Sequence, residues 1–206
     1  MCLSVCLAIS TSAIKAESPS AEAITRLNVL LTTVPNLSAT ARRAMIAEAA
    51  EIWSRQGITL DWLTATAAAP VASNRLRVLV VQSRPADSSA RQSFAVGELV
   101  RASNSHPVAL ISIESAQRLV DSLRGRAGYQ LIQLDERRLG IVLGRALAHE
   151  IGHYLLGTHT HARSGLMRPQ FDAHEFTDLR EGGFALDPDA AAWLRTREMG
   201  TFAYAH

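Results

Sequence analysis

The stretch His149-Glu-Ile-Gly-His-Tyr-Leu-Leu-Gly-Thr-His-Thr-His161 decides how the chain is read, because it holds four of the seven histidines. His149 and His153 stand four apart, so on a helix both imidazoles leave the same face and can bind one ion. Glu150 leaves sideways of that face, placed to act on water at the ion rather than to ligate it. The H-E-x-x-H pattern thus puts two ligands and a proton acceptor on one helix. Gly157 ends such a helix and turns the chain back. Either His159 or His161 then reaches the ion as a third ligand, leaving the open fourth position that a catalytic zinc requires. Two helix histidines solvating a surface is the plainer alternative. Ser164-Gly-Leu-Met167, its methionine six residues beyond His161, reads as a tight turn that carries that methionine beneath the ion.

Working outward, the histidine helix is expected over Glu136 to Leu156, closed by Gly157. Upstream, Arg26 to Thr33 alternates as a strand ended by Pro35. Ser38 caps a helix to Gln56 whose apolar positions Ala41, Met45, Ala49, Ile52 and Trp53 repeat at three-to-four spacing, with Gly57 as its stop. Ile58 to Leu63 and Leu76 to Val81 read as strands, the latter apolar enough to be central. Pro85 to Ser93 reads as a surface loop, Pro107 to Ile113 as a buried strand and Glu114 to Leu123 as a short helix. Downstream, a helix is expected over Asp172 to Arg180, and a last one is capped by Asp187 with Pro188 in its first turn. This order predicts an α/β (α+β) layer, with helices on a twisted sheet and a small helical subdomain at the C-terminal end. Trp53 and Trp62 read as core residues, and His106, His174 and His206 as surface ones.

With 206 residues the chain suits one domain, taken as 24–206. Its 21 basic and 19 acidic side chains nearly balance, and the arginines are scattered, so no nucleic-acid partner is expected. Residues 1–16 are apolar or small apart from Lys15 and too short to span a bilayer, so no stable membrane span is expected there. They read as a signal peptide with Ala16 at the cleavage point, which predicts a secreted or periplasmic protein. A positive n-region is missing. Lipid attachment at Cys6 is a poorer reading, because Val5 suits such a site badly. Removal of that segment takes away both cysteines, Cys2 and Cys6, leaving histidines and carboxylates as the available metal ligands.

From His149 to Pro169 the sequence resembles the metzincin metalloproteases, whose pattern is H-E-x-x-H-x-x-G-x-x-H followed by a Met-turn. With matrixin-like spacing, His149, Glu150, His153, His159 and Met167 align without a gap, and Met167-Arg-Pro169 is similar to the M-x-P found there. The glycine departs: the pattern places it at Leu156, whereas this chain has Gly157. The stretch also resembles a group of small bacterial metzincin-like proteins reading H-E-I-G-H-x-L-L-G-x-x-x-H-x-x-x-G-I-M. In that pattern His161 is the third ligand, and the resemblance favours it over His159.

The resemblance implies a twisted mixed sheet with a backing helix and a long zinc-binding helix. It also implies a Zn2+-dependent endopeptidase that acts on a peptide or protein substrate, with Glu150 as general base and Met167 as the structural methionine. Phe171 would line the pocket for the residue after the scissile bond, or else serve as a core aromatic. The edge near Ile113 or the Ala95-Val-Gly-Glu98 stretch would pair with an extended peptide. Three alternatives stand beside this reading. One is the gluzincin arrangement, with Glu175 or, less well placed, Glu181 as third ligand. The others are a zinc-stabilised binding module without turnover and a zinc hydrolase of a non-peptide amide.

Overall fold

The computed structural model describes residues 25–34, 36–64, 75–83, 95–101, 106–124, 132–179 and 183–196. Residues 1–16, expected to be a signal peptide, with Cys2 and Cys6, and likewise Pro35, the 85–93 segment, Glu181 and His206, lie outside the described residues. Strand β1 (Thr25–Thr33) leads into helix α1 (Ala39–Ser54), then β2 (Ile58–Thr64), β3 (Arg75–Val81), β4 (Gly97–Val100) and β5 (Val108–Ser112). Helices α2 (Ile113–Arg124) and α3 (Ile132–Leu156), a 3₁₀ turn (Gly165–Met167), α4 (Ala173–Thr177) and α5 (Pro188–Thr196) follow.

The strands form one mixed sheet in the order β2-β1-β3-β5-β4. β1, β2, β3 and β5 are parallel, and β4 is antiparallel to β5. β3 is therefore central, as its apolar content predicts. Its Leu76, Val78 and Val80 are buried while Arg75 and Arg77 turn to the other face, the alternation of a sheet covered on one side. Register carries this face across the sheet, from Leu27 opposite Leu60 to Val78 opposite Ala109 and Val80 opposite Ile111. These residues share one core with Met45, Ile52 and Trp53 of α1 and Leu143, Leu147 and Ile151 of α3.

Caps and stops fall where the residue types require them. Ser38 Oγ accepts from Ala41 N at 3.1 Å, Asp187 Oδ1 accepts from Ala190 N at 2.9 Å, and Gly57 sits at φ +75°. Several boundaries differ from expectation. Helix α3 begins at Ile132, four residues before Glu136, with Asp135 in its first turn where the helix dipole favours an acid. β5 stops at Ser112, whose Oγ accepts Ser115 N at 3.2 Å, so Ile113 opens α2. The helix expected over Asp172 to Arg180 is only Ala173–Thr177, because Asp178 is already extended. Trp62 is half-buried at the margin of the core, whereas Trp53 is fully buried.

Small residues let α3 lie against α1. A Cβ on Gly144 would meet Met45 O and Glu48 Cβ at 2.7 Å each, and one on Gly140 would strike the Ala41 carbonyl. Near the histidines, the Trp53 indole N–H donates to Ala148 O at 3.1 Å, fixing that part of α3 to α1. Among the described residues no helix is long and apolar enough to cross a membrane.

Candidate metal centre

Helix α3 carries His149 and His153 on one face, with ring centroids 4.7 Å apart. Gly157, at φ +67°, ends the helix as its residue type predicts. The returning loop brings His161 to 5.3 Å from the His149 ring and 4.9 Å from that of His153, centroid to centroid. The ligand nitrogens of His149, His153 and His161 all lie within 4.8 Å of one another, so these three can hold a metal ion. His159 lies outside this group, exposed, with its ring 6.0 Å from that of His153.

The backbone shows why His161 is the one that arrives. His153 Nδ1 is 2.8 Å from Thr158 O, which anchors the first residue after Gly157. Thr158 Oγ1 accepts from Thr160 N at 2.9 Å. Ala162 N donates to Met167 O at 2.8 Å, which ties the residue after His161 to the 3₁₀ turn. His161 is thus held between two fixed points.

The donor chemistry suits a metal. His149 Nδ1 is 2.7 Å from Leu166 O, and a carbonyl can only accept, so each helix histidine donates from Nδ1 and leaves Nε2 as the free ligand nitrogen. Burial lowers the pKa of His149, against the Leu166 hydrogen bond, and pushes His153 down to about 4 with a further contribution from the neighbouring His149. Burial also lowers His161, and it lowers His159 with help from Arg101. Neutral imidazoles at ordinary pH are the form a metal binds. One ion can draw such nitrogens to about 2.0–2.1 Å.

Met167 is 1% exposed, and its sulfur packs against Gly152, where any Cβ would overlap it and stand 3.6 Å from Trp53 Cζ2. The turn therefore lies directly under the ligand helix. It is held from the other side by Leu166 N donating to Ala185 O at 2.7 Å. Glu150, beside the ligands, is 5% exposed and faces Gly97 of β4. Arg101, just past β4, donates to His153 O at 3.2 Å, bringing the end of the edge strand to α3.

Phe171 packs among aromatic residues, as the core reading expects, and its ring also lies near His149. It stacks on Phe184 at 5.3 Å and meets Phe176 at 5.1 Å, yet also presents an edge to the His149 ring at 6.4 Å. The Arg168 guanidinium covers it at 4.5 Å and pairs with Glu175. Glu175 is accordingly engaged with Arg168 and is no member of the donor group, contrary to the glutamate alternative. Arg145, one helical turn before His149 and 2% exposed, pairs with Glu48 at 2.8 Å. It also donates to the carbonyls of Glu175 and Phe176 at 3.1 Å each, and lies 4.4 Å over Phe184. This arginine locks the aromatic segment to α1 and α3, a role for which its sequence neighbours hold no signal. His106 and His174 are exposed, as expected. No family model matches the chain, and neither a curated protein nor a solved structure does.

Proposed function

We propose that the protein is a zinc-dependent peptidase of metzincin type. The observation that carries this reading is the convergence of three imidazoles with a buried Glu150, which follows His149 and precedes His153 by three residues, above a methionine turn. His149, His153 and His161 would hold the zinc, which would supply Lewis acidity towards a carbonyl oxygen and acidify a water. Glu150 would take a proton from the attacking water and pass it to the leaving amine. The Leu166 and Thr158 carbonyls keep the two helix imidazoles oriented.

A peptide substrate is favoured over another amide by β4. It ends the sheet order, so its second edge carries no strand among the described residues and offers backbone groups to an extended chain. A purely structural zinc module is disfavoured, because such sites close with four ligands and His159 stands outside the group. With an N-terminal export signal, the protein would act outside the cytoplasm.

Metal analysis of the purified protein, followed by digestion of a peptide library with and without a chelator, tests the proposal. Stoichiometric zinc and chelator-sensitive cleavage are expected; a zinc-loaded protein that cleaves no peptide would overturn it.

A further inference from the structure

Gly97 occupies β4 opposite Ile111, which puts it on the helix-covered face of the sheet. An ideal Cβ at this position would stand 2.8 Å from Glu150 Oε1, 2.9 Å from its Cγ and 3.2 Å from its Cδ. Its three nearest neighbours thus all belong to one side chain, and none is backbone. Contacts under about 3 Å cannot persist, so something has to move. The backbone of Glu150 is held, because α3 is fixed beside it by the Trp53 bond to Ala148 and the Met167 packing on Gly152. The group that yields is the Glu150 side chain, Cγ and carboxylate together.

We propose that Gly97 is a positioning residue: its missing side chain is what lets the Glu150 carboxylate stand where it takes the proton. The inference rests on the reading of Glu150 as the general base. Gly97 has no left-handed φ, unlike Gly57, Gly157, Gly165 and Gly183, so alanine fits its backbone conformation and a Gly97→Ala chain folds. The edge strand therefore does two things. It presents an edge to an extended chain, and its backbone sets the place of the proton acceptor.

The test uses the full chain loaded with zinc. Gly97→Ala is expected to keep the zinc content of the parent and to lower kcat by about 100-fold with KM little changed, the scale of a reacting group misplaced by about 1 Å. Parental kcat in the zinc-loaded variant would overturn the proposal. A second arm needs no turnover. Gly97→Ala should lower Tm by about 2–4 °C when Glu150 is present and by clearly less in a Glu150→Ala background, because the group it displaces is gone. Equal shifts in the two backgrounds would also overturn it. If the parent cleaves no peptide the functional reading fails, while the Tm comparison still decides whether Gly97 seats Glu150.

Discussion

His149 points its Nδ1 at the Leu166 carbonyl across 2.7 Å, so the first histidine of the candidate metal centre is held by the turn that also carries Met167. Leu166 also donates its own N–H to Ala185 O. A histidine on the long helix is thus oriented by the segment that follows the helix.

The role of Glu150 is open to direct measurement. Glu150→Gln keeps the shape and removes the proton acceptor, so zinc content should match the parent while kcat falls by about 10²–10⁴-fold. Steady-state kinetics on a fluorogenic peptide, with metal content by mass spectrometry, checks both. Parental turnover in the zinc-loaded variant would sink the assignment.

The ligand set separates in the same assay. His153→Ala and His161→Ala should each purify with little zinc, whereas His159→Ala should keep it. Zinc lost from His159→Ala but retained by His161→Ala would reverse the geometric assignment.

Gly152→Ala probes the packing under the site. The added methyl overlaps the buried Met167 sulfur and methyl and reaches ordinary contact with Trp53, so the Met167 side chain has to move. Overpacking of this kind typically costs about 1–3 kcal/mol. Urea denaturation of the metal-free protein should show a loss in that range, and an unchanged midpoint would contradict the close approach.

Acid should weaken the metal-free fold before its carboxylates titrate. Burial holds His153 at about 4, below the ordinary 6.5, so between those values the unfolded chain binds protons that the fold refuses. The stability from this group is complete above 6.5, declines as pH falls through the window, and is gone below about 4. His149 shifts the same way. Tm of the chelator-treated protein should drop from pH 7 to pH 5, and by less in His153→Gln. Equal drops in the two proteins would refute the link.

Much of this fold is legible locally. Ser38, Gly57, Gly157 and Asp187 mark ends because their side chains or φ values act within a few residues, and β3 announces its central place by its apolar run. The pair His149 and His153, with Glu150 between them, is legible for the same reason. What escapes is set by distant partners. Gly97 and Glu98 are poor strand formers and become β4 only by pairing with β5. His159 and His161 differ by one alternation in a loop, and hydrogen bonds to Thr158 and Met167 decide between them. The Arg145–Glu48 pair joins residues 97 apart, and nothing in either neighbourhood announces the other.

The three histidines that could hold a metal ion all lie within the thirteen residues from His149 to His161, and this brevity has a thermodynamic consequence. Closing so short a loop around an ion carries only a small entropic penalty, which the unfolded chain can also meet. Affinity for the unfolded form subtracts from the stabilisation that a ligand of the folded form confers. A metal ion bound there would therefore be a weaker staple for the sheet than its affinity for the folded chain suggests.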